Sequence, residues 1–99
     1  MTQFTLNTPW GHADHYENLG QGIFTVSTPG HGGIFVPDEF LHNIPKEQRE
    51  WAKSWSGSEN WYEEDCCWAA VAVNIPSRFK PEHVEHAKKT LARYFPEAA

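Results

Sequence analysis

Lysine and arginine are missing from residues 1–45, which hold four acids, Asp14, Glu17, Asp38 and Glu39. All eight cations fall between Lys46 and Arg93, and the net charge is −5. Direct nucleic-acid binding needs clustered Lys and Arg, so the first half is unsuited to it. No apolar run reaches about 18 residues, which excludes a transmembrane helix, and no membrane partner is expected. The N-terminal stretch lacks a positive region followed by an apolar one, so no secretory leader is expected. Cysteine is limited to Cys66 and Cys67. Adjacent cysteines rarely bridge each other, because a disulfide wants Cα atoms about 5.5 Å apart. Reduced thiols in a cytoplasmic protein are the expectation. No cofactor signature is visible, and none is expected.

What remains is rich in rings. Aromatic residues make up 14% of the 99 residues, enough to build one modest core in a single α+β domain over residues 1–99. Phe24, Phe35, Trp51, Trp55, Trp61 and Trp68 are its expected bulk. Ile23–Ser27 is the best strand, with β-branched and aromatic residues bounded by glycine and proline. Thr28-Pro29-Gly30-His31-Gly32-Gly33 reads as the tight connection to a returning strand at 33–36. A weaker strand over 12–18 completes a three-stranded antiparallel meander, which needs helices on one face. Those helices are expected near 45–55, 63–74 and 81–95. In the first, Ile44, Gln48, Trp51 and Trp55 form one stripe.

The centre of the chain is Trp61 to Val73. Glu59, Glu63, Glu64 and Asp65 put four acids into seven residues, and Cys66 to Asn74 then carries no charge. The pattern predicts a buried helix with Ser58 or Asn60 as its cap and the three consecutive acids in its first turn, where the helix dipole favours anions. Trp61 and Tyr62 beside the acids also fit aromatic anchors within a charged rim.

Two other constellations bear on chemistry. His12-Ala13-Asp14-His15 offers imidazole and carboxylate ligands of the kind zinc or iron takes. On a strand, however, His12 and His15 point to opposite faces, so satisfied surface histidines are the plainer reading and no metal is expected. His31 in its glycine-rich loop is free to face Cys66 or Cys67, with Glu63 or Glu64 orienting it. Flanking carboxylates oppose a low thiol pKa, so small core residues are the plainer reading of both cysteines. A metal- or thiol-dependent enzyme using His12, Asp14, His15, His31 and the Glu63–Cys67 run is the alternative to a non-enzymatic protein. An accessory structural domain is another.

Ser27 to Ile34 together with Trp61 to Cys66, followed by an apolar segment ending at Pro76, resembles a small-domain family found in proteins of bacterial phages, plasmids and integrative elements. The resemblance covers roughly residues 8–80. It implies a mobile-element setting inside a bacterial host cell, and brings no catalytic residues. Small acidic proteins in that setting are often inhibitors of host defence, anti-CRISPR proteins among them. The expected function is therefore occlusion of a basic, nucleic-acid-handling partner such as a CRISPR effector subunit. The expected contact residues are Glu59, Trp61, Tyr62, Glu63, Glu64, Asp65, His31, Asp14 and Glu17.

Overall fold

The computed structural model describes residues 5–98. Within them the chain is α+β, with a four-stranded antiparallel sheet where three strands were expected. A short hairpin comes first, β1 (Asn7–Thr8) and β2 (Gly11–His12). The sheet follows in the order β3 (His15–Gly20), β4 (Ile23–Ser27), β5 (Gly32–Phe35) and β6 (Trp61–Glu63). The helices are α1 (Lys46–Ser56), α2 (Trp68–Asn74) and α3 (Pro81–Ala92). The strand expected over 12–18 is divided. Gly11 at φ 115° and the pairing of His12 with Asn7 put its beginning into the first hairpin.

Local chemistry sets each connection. Gly20, Gln21 and Gly22 all have positive φ in the β3–β4 turn, and Asn18 accepts the Gly20 N–H at 2.8 Å. Thr28 closes the β4–β5 turn: its hydroxyl donates to the His31 carbonyl at 2.6 Å and accepts the His31 N–H at 3.0 Å. Gly57, at φ 87°, ends α1 and donates to the Lys53 carbonyl.

Two expectations for the helices are corrected. The acids at 63–65 do not open a helix. Trp61, Tyr62 and Glu63 pair with Phe35, Ile34 and Gly33, and the helix starts only at Trp68. Neither Ser58 nor Asn60 caps it; the Asn60 amide donates instead to the Val36 carbonyl and to Asp38. Along α1 the buried stripe is Ile44, Gln48 and Ala52, while Trp55 is 53% exposed. Trp51 keeps its expected place, packed at the core margin against Tyr94 and Phe95, and Gln48 is held inside by the Asn74 amide of α2 at 2.8 Å.

Strands β5 and β6 are buried on both faces of the sheet. On one, Ile23, Ile34 and Tyr62 meet the helices, with Ala69, Ala70, Val71 and Ala72 of α2 all at 0% exposure. The small side chains of α2 let α3 lie close against it through Ala87 and Leu91. On the other, Val26, Phe35 and Trp61 pack with Ala13, Trp10 and Phe24. Trp10 meets Trp61 edge-on at 5.8 Å, and Phe35 meets Trp61 at 5.0 Å.

Gly33 lies beneath this second cluster. A Cβ there would collide with the Tyr62 carbonyl and, at 2.5 Å, with the Trp10 ring. Neither Gly32 nor Gly33 has a positive φ; close approach, not turn geometry, demands them. Gly33→Ala is expected to lose about 1–3 kcal/mol or more in urea unfolding. Gly30→Ala meets nothing within 4 Å and should be near neutral. Equal effects at the two positions would contradict this packing.

Candidate functional site: an acidic sheet end beside an aromatic groove

Strand register gathers residues that are distant in sequence. His15 begins β3 opposite Ser27, which ends β4; Gly32 begins β5 opposite the same Ser27; and Glu63 ends β6 opposite Gly33. Asp14 donates its backbone N–H to the Ser27 carbonyl, and Glu64 donates its own to the Gly32 carbonyl at 2.9 Å. Asp14, His15, His31, Glu64 and Asp65 therefore sit at one end of the sheet, all exposed. Glu17 lies farther along β3, also exposed. Glu59 stands apart, at the opposite end of β6, where it pairs with Arg49 of α1 at 3.3 Å. The four acids of residues 59–65 are thus not one patch.

Three expected contact residues are interior. Trp61 is 9% exposed, Tyr62 0% and Glu63 3%. Their rings and carboxylate present no surface to a partner, because β6 is packed on both faces. The aromatic-anchor expectation for Trp61 and Tyr62 is corrected accordingly.

Glu63 has a structural task. Its Oε1 accepts the backbone N–H of Cys66 at 2.7 Å and of Cys67 at 3.0 Å, and the Cys66 thiol at 3.0 Å. Its Oε2 accepts the Asp65 N–H at 2.8 Å. One carboxylate thereby caps the turn that leads from β6 into α2. Burial opposes its ionisation, but the thiol and backbone donors outweigh that, and its pKa lies below the ordinary 4.5.

Glu63, Cys66 and Cys67 bring three ligand-type atoms within 4.8 Å, the one such group among the described residues. His12, Asp14, His15 and His31, the groups of the alternative enzyme reading, form no such group among the described residues; His12 lies 3.4 Å from the Asn7 amide oxygen instead. Burial, reinforced by Glu63, pushes the Cys66 thiol up to about 11, and burial raises Cys67 further. The raised pKa keeps both thiols protonated near neutral pH, which opposes a nucleophilic role. A metal would also have to displace the hydrogen bonds that hold the turn.

A groove of about 640 Å³ opens beside the acidic end, between the sheet and α3. Its lining includes Thr25, Ile34, Glu64, Trp68, His83 and His86. His86 stacks on Trp68 at 5.7 Å and 15°. Sequence reasoning missed both histidines. Their signal was their spacing of three on one helix, which brings two side chains to the same face.

These features define a small α+β domain with a charged sheet end and an adjoining open groove. The model of a domain of unknown function, DUF7007, matches residues 3–99, and the chain belongs to that family. Neither the curated proteins nor the solved structures compared with the chain give a match. Among the described residues, no helix is long and apolar enough to cross a membrane.

The Glu63 cap predicts an acid sensitivity. Its folded pKa is depressed, so its stabilisation is complete above the ordinary 4.5 and is lost as pH falls through the folded value. Glu63→Gln is expected to cost about 2–3 kcal/mol near neutral pH. On acidification from about pH 5 to pH 3 it should lose less further stability than the wild type, as read by urea unfolding. Equal acid sensitivity in the two would contradict the assignment.

Proposed function

We propose that this chain is a binding protein that occludes a basic surface of a nucleic-acid-handling partner, with a CRISPR effector subunit as the candidate. The carrying observation is the gathering of Asp14, Glu64 and Asp65 at one sheet end, in a chain whose residues 1–45 contain no Lys or Arg. Such a field raises the encounter rate with a basic groove and copies the charge, though not the shape, of nucleic acid. Glu17 extends the surface along β3. Glu63 contributes to it only by setting where Glu64 and Asp65 leave the sheet.

The test uses the double variant Glu64→Lys, Asp65→Lys, both exposed, so the fold is retained. In a bacterial host with an active CRISPR system, the wild type is expected to restore phage plaquing and to bind a purified effector component. The double variant should associate about tenfold more slowly at low salt and show a flatter salt dependence. If the wild type protects no phage and binds no effector component, the reading fails. If the folded variant associates as fast as the wild type, this surface is not the contact.

A further inference from the structure

The groove has a composition that the acidic end alone does not explain. Trp68 and Phe79 are half-buried hydrophobics packed at the margin of the core, and both line the groove. Trp68 and His86 lie nearly parallel and make a flat aromatic pair. Thr25 and Ile34, directly paired across β4 and β5, contribute from the sheet. Glu64 supplies the one carboxylate, and among the described residues no Lys or Arg lines this groove.

The Glu64 side chain reaches the start of β5, where a Cβ on Gly32 would be in ordinary contact with its Oε1 at 3.5 Å; the 2.6 Å approach to the Val26 carbonyl is what requires glycine there. The adjoining hollow, which shares Thr25, Phe79 and His83, holds Glu17 together with Arg78 and Lys80. A cation is therefore directed to the Glu64 end, which also adjoins Asp65 and Asp14.

Flat rings beside a carboxylate suit a planar cation. A guanidinium stacks on aromatic faces and pairs two N–H donors with one carboxylate, whereas an ammonium is a compact, strongly hydrated point charge. We propose that this groove receives an arginine side chain from an extended segment of the basic partner, an inference that rests on the binding reading above. The guanidinium lies against the Trp68–His86 pair and hydrogen-bonds Glu64, while the segment's backbone follows the open groove.

The test is an amide and indole NMR titration of the full chain with three short capped peptides, Gly-Arg-Gly, Gly-Lys-Gly and Gly-Glu-Gly. The arginine peptide is expected to shift the Trp68 indole N–H and the Thr25 and Ile34 amides saturably. The lysine peptide should bind more weakly and the glutamate peptide not at all. Glu64→Gln should weaken the arginine peptide about three- to fivefold. Groove signals that stay still with the arginine peptide, respond equally to lysine, or respond unchanged in Glu64→Gln would overturn the assignment.

A Thr25→Tyr variant, confirmed folded by its spectrum, separates this inference from the broader one by filling the groove. If it binds the effector as well as the wild type does while Glu64→Lys, Asp65→Lys does not, the groove assignment fails and the acidic contact stands. If the arginine peptide binds in the groove but no effector component is captured, the groove assignment stands and the inhibitor reading fails.

Discussion

The buried carboxylate of Glu63 is the interaction on which the rest of the architecture depends. A charge removed from water is costly unless its partners replace the lost solvation. Here three backbone N–H groups and one thiol do so, all from the next four residues. The same bonds satisfy donors that a chain leaving a strand for a helix would otherwise strand in the interior. One side chain thus permits β6 to end and α2 to begin within the core. Once that turn is set, Glu64 and Asp65 face outward and Cys66 and Cys67 face inward, as their burial records.

A second constraint works from the opposite strand. Gly33 faces the first hairpin, where the Trp10 ring covers it, while Gly32 lies too close to the Val26 carbonyl for a Cβ. The two motif segments, His31-Gly32-Gly33 and Trp61-Tyr62-Glu63-Glu64-Asp65, are joined in the fold: Gly33 pairs with Glu63, Ile34 with Tyr62 and Phe35 with Trp61. The space at Gly33 is taken by the Trp10 ring and the Tyr62 carbonyl, and that at Gly32 by the Val26 carbonyl. The packing demand of the second cluster and the position of the acidic sheet end are consequences of the same register.

Much of the local structure was legible. β4 and β5 announced themselves through β-branched and aromatic residues between turn signals. The helical segments at 46–56 and 81–92 followed from periodicity and proline placement. β6 was not legible. Three residues are too few to display alternation, and the acids after Trp61 imitate the first turn of a helix. Their actual division, one buried and two exposed, depends on pairing with a strand about thirty residues earlier, which no local pattern encodes. Trp55 was misplaced because a seven-residue step from Gln48 fits a helical stripe as well as the Gln48–Ala52 step that is buried. For the candidate site, sequence supplied Asp14, His31, Glu64 and Asp65 as isolated suggestions. Their common location needed the register, as did the groove, since nothing local to His83 and His86 shows that the sheet faces them.

The central claim is that β5 and β6 pair in this register and set Gly33 beneath Trp10. Proton NMR of the uniformly labelled chain tests it directly. The account predicts Gly33 α-proton resonances displaced by the Trp10 ring current, with nuclear Overhauser contacts to Trp10 and across the sheet to Glu63. Gly33 α-protons at ordinary shifts, without contacts to either residue, would contradict it.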